Sequence, residues 1–275
     1  ELIYFPVKKL RVDIDKAAVL ANNAVLAEDT GRIVDHIDWN LKTNVLSKRD
    51  LMVIDLIANN DWTRPIYFSV TVGNSSKSFF WLDDYFQLEG LAYRFVPVLN
   101  KRNGNDPDFG KIASDVMYDN LINKFKLGNM EKPGVYLDET NRRVIYNLRN
   151  IYGRLGEDLA ARGRNEEAIT VLDHAMEKMP EEKFAFDYFM FNILEGYYKA
   201  GANDKAREII GLFADRLEEE LAYYQQFTGK DRNRIQAELN AASSYFRMIL
   251  QLVAQYEYDN DQNKLTKDEV YQRYV

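Results

Sequence analysis

The side chains able to do chemistry in this chain are few and scattered. Its two histidines, His36 and His174, are far apart, and neither has a Glu or Cys at metal-ligand spacing, so the pattern argues against zinc. His174 falls in a helical stretch, where a surface position is expected. Asp83 and Asp84 with Glu89 come nearest to the paired carboxylates of glycoside chemistry. Adjacent aspartates on a helix diverge by about 100°, which reads as a helix exterior rather than a clamp. The run Asp259-Asn260-Asp261-Gln262-Asn263 imitates the start of a calcium loop. Lys264, however, stands where the sharp turn needs glycine, and Val270 where a bidentate carboxylate is needed. The stretch Asn103 to Asp108 reads as a solvated turn. There is no glycine-rich phosphate loop, no Gly-x-Ser-x-Gly elbow and no Ser/His/Asp set. The expectation is therefore no catalytic residue, no metal and no cofactor. With no cysteine, disulfides, thiolate nucleophiles and zinc-thiolate sites are excluded.

Aromatic residues and one arginine remain as binding candidates. The chain has 18 Tyr, 15 Phe and 3 Trp. Rings such as Tyr188, Phe189, Phe191, Tyr197, Tyr198, Tyr223 and Tyr224 can line a groove for sugar or peptide, or simply pack between helices. The pairs Tyr197-Tyr198 and Tyr223-Tyr224 are singled out because neighbouring residues on a helix cannot all turn inward. Pro65 forces Arg64 into an extended conformation that can aim its guanidinium at a carboxylate or at carbonyls. Its structural alternative is an ion pair with Asp61, Asp83 or Glu89.

What positions these residues follows from the elements around them. A length of 275 residues suggests two domains, and 46% hydrophobic content is that of a globular chain. A net charge of −7 gives no attraction toward phosphate backbones, so no nucleic acid partner is expected. No apolar run is long enough to span a bilayer. The chain opens without methionine inside an apolar segment, as a piece of something longer would.

Leu2 to Val12 reads as an extended arm ending in a short strand near Leu10 to Asp13. Asp15 caps a helix running to about Ala27 and closed by Thr30-Gly31. Ile33, Ile37, Leu41 and Val45 recur at four, suggesting a second helix. Ser47-Lys48-Arg49-Asp50 is a capping box opening a helix over Lys48 to Ala58. Ile66 to Val72 reads as a strand, ended by Gly73 to Ser76. Phe79 to Leu88 reads as a helix stopped by Gly90, and Leu91 to Val98 as a further strand. Together they suggest a βαβ unit with a right-handed crossover if the strands are parallel. Asn100 to Asp108 is read as an exposed loop. Strands then cease, and Phe109, Ile112, Val116, Leu121 and Phe125 mark a helix ended by Gly128. Met130 to Asp138 is the expected hinge, dividing a small α/β domain, 1–130, from a helical domain, 131–275.

The second domain carries a helical-repeat signature. Counted back from Pro180 as the last marked position of a 34-residue tetratricopeptide unit, Tyr152, Leu155, Gly156, Leu159, Ala168, Leu172 and Ala175 fall where large and small packing residues are required. Gly163-Arg164-Asn165 supplies the turn between helices. Aligning Gly201 with Gly163 puts Met190, Ile193, Leu194, Tyr197, Ile210 and Phe213 at the corresponding positions. That offset is 38 residues, so the loop at Pro180 to Phe184, or the preceding helix, must absorb four. Ile235, Leu239, Ala242, Phe246, Ile249 and Val253 form a third apolar stripe. The tail from Asp259 is polar, although Val270, Tyr271 and Tyr274 can dock. The fold class expected is α+β and predominantly helical, a small α/β unit followed by a tetratricopeptide-like helical-repeat domain with a concave binding face.

The run Lys48 to Ser69, with Asn59-Asn60-Asp61-Trp62-Thr63-Arg64-Pro65-Ile66-Tyr67-Phe68 at its centre, is followed by Leu82-Asp83-Asp84-Tyr85 and Leu88-Glu89-Gly90-Leu91-Ala92-Tyr93-Arg94-Phe95. Together these resemble the soluble tail of multi-pass membrane proteins of Bacteroidetes, a family related to protein O-mannosyltransferases. The resemblance covers about Leu10 to Val98. It implies a membrane-embedded glycosyltransferase using a polyprenyl-phosphate sugar, whose acidic catalytic residue lies outside this chain. This chain would then be a non-catalytic, periplasmic accessory domain. Its partners would be a protein or glycan acceptor and its own upstream membrane portion. Within these motifs Trp62, Arg64, Asp83, Asp84, Glu89, Tyr93 and Arg94 are candidate binding residues. A free-standing glycan- or peptide-binding helical-repeat module is the alternative.

Overall fold

The computed structural model describes residues 7–41, 46–71, 82–100 and 110–274. The arm before Val7, the end of the strand over 66–72 with its closing turn, residues 79–81 and most of the 100–108 loop lie outside these. The chain forms two compact units, Glu1–Asn120 and Leu121–Val275. A region of small sheets precedes a helical region, so the architecture is α+β and predominantly helical.

In the first unit β1 (Lys9–Asp13) pairs antiparallel with β2 (His36–Asn40), Val12 facing Ile37 and Arg11 facing Asp38. The expected helix over Ile33 to Leu46 is thus corrected to a strand. A spacing of four fits both a helix face and every second residue of a strand. The buried Trp39 between Ile37 and Leu41, with His36, Asp38 and Asn40 less buried, decides for the strand. Between the two strands, α1 (Lys16–Ala21) is capped by the Asp15 carboxylate as expected but ends six residues early. The Asn22 amide donates back to the Ala18 carbonyl, and Asn23 takes a φ of 48°, which turns the chain out of the helix. A 3₁₀ turn, Ala27–Arg32, follows.

α2 (Lys48–Ala58) has the expected bounds, and its capping box forms: Ser47 Oγ accepts from Asp50 N while Asp50 Oδ2 accepts from Ser47 N. The second sheet has the order β3-β5-β4-β6, from β3 (Tyr67–Ser69), β4 (Phe86–Leu88), β5 (Ala92–Phe95) and β6 (Lys111–Ile112). The expected helix over Phe79 to Leu88 is corrected to a 3₁₀ turn, Asp83–Tyr85, running into β4. β4 is buried along its whole length because it is hydrogen-bonded on both sides, antiparallel to β5 and parallel to β6. Gly90, at φ 122°, makes the tight β4–β5 turn instead of stopping a helix. The βαβ crossover is therefore replaced by an antiparallel arrangement, β3 also running antiparallel to β5.

Strands do not cease there, since β6 adds to the sheet edge. α3 (Ser114–Tyr118) then widens into a π-helical segment, Asp119–Lys124, in place of one regular helix. The Tyr152 hydroxyl donates to the Leu121 carbonyl within this segment, and Asn120 Nδ2 ties it to the Glu89 carbonyl.

In the second unit α4 (Glu139–Ala161), α5 (Asn165–Lys178), α6 (Met190–Lys199) and α7 (Asn203–Gln225) form two successive helix pairs. Tyr152, Leu155, Gly156, Leu159, Ala168, Leu172 and Ala175 are all buried, as are Met190, Ile193, Leu194, Tyr197, Ile210 and Phe213. Leu172 is the shared knob. A methyl group on Gly156 of α4 would come within 2.6 Å of it, and one on Gly196 of α6 within 3.0 Å. Both pairs turn the same way. Arg164 N donates to the Leu159 carbonyl across Gly163 (φ 75°), and Ala202 N to the Tyr197 carbonyl across Gly201 (φ 77°).

α8 (Gly229–Arg234) and α9 (Gln236–Glu257) follow, and Ala242, Phe246, Ile249 and Val253 of α9 are buried. The polar tail docks through α10 (Gln262–Leu265) and α11 (Glu269–Tyr274). Val270 is buried, the Tyr274 ring lies 5.5 Å from Phe246, and Asp268 is bonded by Arg207 and Tyr258.

Candidate functional site

The β3-β5-β4 sheet draws two of the sequence candidates, Glu89 and Arg94, into one polar cluster. Tyr67 faces Arg94, and Arg94 faces Gln87, across the three strands. Glu89, just beyond β4, receives the row: Oε2 accepts from the Tyr67 hydroxyl at 2.7 Å and Oε1 from Gln87 Nε2 at 2.7 Å. Arg94 Nη1 stands 3.6 Å away. Burial, reinforced by Glu89, pushes the Tyr67 phenol up to about 12. Each carboxylate oxygen thus already holds a donor, an arrangement that fixes the sheet edge.

The other candidates of this unit are spread around it. Trp62 is buried against Phe95, rings 5.9 Å apart, with a φ of 65°, and its backbone N–H is satisfied by Asn60 Oδ1. Tyr93 is buried and stacked on Phe86 at 5.5 Å. Asp83 is buried, which corrects the helix-exterior reading, while Asp84 is half-buried and its carbonyl accepts from Asn100 N. Arg64 is exposed, and its charge only helps to lower the Asp61 pKa, whose main cause is the Thr63 hydroxyl. Glu89 takes Arg94 as its cation instead of Arg64.

In the second unit α4, α6 and α9 share a row of polar side chains. Asn192 Nδ2 donates to Asn150 Oδ1 at 2.7 Å. Further along, Lys199 bridges Glu157 at 2.7 Å and Glu195 at 3.0 Å, and Tyr256 donates to Glu195 at 3.1 Å. Tyr197 and Tyr198 are both buried, correcting the expectation that such neighbours cannot both turn inward. Tyr197 bonds Asp173 across to α5, while Tyr198 stacks on Tyr256 at 4.8 Å and 3°. Two different helices stand on the two sides of α6, so both rings find cover. Tyr223 remains exposed and Tyr224 half-buried, forming with Phe227 an aromatic cluster near the end of α7. His174 is half-buried, not superficial, and its Nδ1 lies 3.0 Å from the Tyr152 hydroxyl.

The residue the sequence reading missed is Arg149. Its side chain is 1% exposed on α4, with the guanidinium beside the rings of Tyr146 and Phe186. It donates to three carbonyls of the α5–α6 connection, those of Met179, Phe184 and Ala185. Because α5 ends at Lys178 and α6 begins at Met190, this connection absorbs the four extra residues of the 38-residue offset. Asp187 stands at the position equivalent to Arg149, and the two charges are 3.7 Å apart. Burial raises the Asp187 carboxyl to about 6, with Arg149 opposing the shift, while burial also lowers the Arg149 pKa. Both partners therefore lose more to desolvation than they gain from each other. A charge inside the Ile145, Leu148, Tyr152 stripe was the available signal.

Among the described residues no group of three His, Asp or Glu could hold a metal ion, and no helix is long and apolar enough to cross a membrane. No curated protein and no solved structure matches the chain. Residues 1–116 match the family described as TMEM260-associated domain 2.

Proposed function

We propose that this chain is an accessory, non-catalytic portion of a TMEM260-like membrane glycosyltransferase, held on the extracytoplasmic face of the membrane. Its tetratricopeptide-like helical unit engages a protein partner or acceptor. The match of residues 1–116 carries this reading. It is supported by the resemblance of the Trp62 to Phe95 motifs to the tail of enzymes related to protein O-mannosyltransferases. It is also consistent with the cluster around Glu89, whose carboxylate oxygens are already occupied by Tyr67 and Gln87.

The test uses the full-length protein with a polyprenyl-phosphate sugar donor and two acceptors, a folded acceptor protein and a short peptide from it. Deleting residues 121–275 is expected to abolish transfer to the folded protein while peptide transfer persists. Equal loss of both with a correctly folded membrane portion would place chemistry in this chain and end the proposal.

A further inference from the structure

The four-residue expansion between α5 and α6 builds a surface that the proposed accessory role does not use. Arg149 directs its donors to the carbonyls of Met179, Phe184 and Ala185, and its Nη1 stands 3.7 Å from Asp187 Oδ1. Asp187 Oδ1 accepts from Phe189 N at 3.0 Å; among the described residues Oδ2 has no hydrogen-bond partner, and the side chain is 21% exposed. Next to it Tyr188 is 49% exposed, its ring held by Phe189 at 5.9 Å and Phe191 at 6.2 Å. Phe191 in turn packs on Tyr245 at 5.9 Å, and the Tyr245 phenol lies within the field of Asp187 and against the Tyr188 backbone. One patch therefore combines a fixed, exposed aromatic ring, an open carboxylate oxygen and a phenol.

The chemistry of that patch selects among ligands. The Arg149 guanidinium, 3.7 Å behind Asp187, cancels much of the attraction a cation would feel. The carboxylate repels an anion. What remains favoured is a neutral ligand with an apolar face to lie on a ring and hydroxyls to donate to an acceptor.

We propose that the loop carrying Asp187 and Tyr188 is a saccharide-binding site, in which Tyr188 stacks on the C–H face of a pyranose and Asp187 Oδ2, with Tyr245, hydrogen-bonds its hydroxyls. The site does not rest on the accessory-domain reading and stands or falls with the isolated chain.

The test is saturation-transfer NMR and calorimetry on the purified chain with the methyl pyranosides of glucose, galactose, mannose and N-acetylglucosamine, at concentrations up to about 10 mM. At least one is expected to bind, with transfer concentrated on one ring face. Y188A should weaken it by more than about tenfold, while Y188F, which keeps the ring, stays within about threefold. D187N preserves the acceptor for Phe189 N but turns Oδ2 into a donor, and should weaken binding about tenfold. Y223A, in the other exposed aromatic cluster, should change nothing. No binding by any of the four glycosides, binding that survives both Y188A and D187N, or equal loss in Y223A would each overturn the proposal. So would capture of a peptide at this patch in competition with no sugar.

Discussion

Arg149 is the residue on which the second unit should depend most, and its loss can be worked through. In R149M the aliphatic stem is replaced at similar volume, so little packing is lost, but the carbonyls of Met179, Phe184 and Ala185 lose their donors inside the protein. At about 1.5 kcal/mol for each charge-assisted bond, the lower end of the usual range, the gross cost of the three is about 4.5 kcal/mol. Relief from burying the guanidinium offsets part of this, leaving about 3 kcal/mol. With a urea slope of about 2 kcal/mol per M, the midpoint should fall by about 1.5 M. Far-UV ellipticity follows mainly the helical second unit, whereas Trp39, Trp62 and Trp81 all precede residue 121 and report on the first. R149K keeps the charge but cannot reach three diverging carbonyls, so it should fall between wild type and R149M. An R149M midpoint within about 0.3 M of wild type, or an R149K variant indistinguishable from wild type, would refute the reasoning.

Further outcomes follow from other contacts. The Asp187 pKa is raised in the folded state to about 6, so its favourable contribution is complete at acid pH, below the unfolded value, and lost as pH rises through about 6. D187N should therefore be more stable than wild type at neutral pH, on the order of 2 kcal/mol, with the difference in thermal midpoint shrinking toward pH ~4. G153A, whose new methyl would lie 2.6 Å from Asn192 Cβ and 3.0 Å from its backbone carbon, should cost about 2 to 3 kcal/mol in urea unfolding. G156A drives its methyl into Leu172, which is fully buried and also packed against Gly196, and should cost about as much. E89A leaves the buried Gln87 amide without its acceptor and frees the Tyr67 hydroxyl, for a loss of about 2 to 3 kcal/mol by chemical denaturation. S47A removes one half of the α2 capping box and should lower stability by about 1 kcal/mol, read from the same transition.

Legibility in the sequence tracked how local each determinant is. The capping box at Ser47 and the left-handed turns at Gly163 and Gly201 are set by a few neighbouring residues, and each was readable. The buried stripes of α4 to α7 follow a period that only a helix satisfies. β2 was missed because a spacing of four does not separate a helix from a strand. β4 was missed because Phe86-Gln87-Leu88 becomes extended through partners on both sides, one of them β6, more than twenty residues later. Tyr197 and Tyr198 both point inward because helices stand on both sides of α6, a fact of assembly that no single-helix argument contains. Among the site candidates, Tyr67 and Gln87 escaped notice because their meeting with Glu89 is set by strand register. Arg149 escaped because its partners are main-chain carbonyls, which leave no side-chain signature.

The docked tail has a consequence for the order in which the second unit assembles. Each helix pair closes between segments adjacent in sequence, so it needs only a short loop search. The tail instead reaches back 61 residues from Asp268 to Arg207, and 58 and 55 residues from Arg273 to Asp215 and Glu218. Those contacts have a surface to land on only once α7 and α9 are side by side. The segment from Asp259 is thus expected to dock late on a finished stack and to be among the first to exchange its amides on opening, which native-state hydrogen exchange would read.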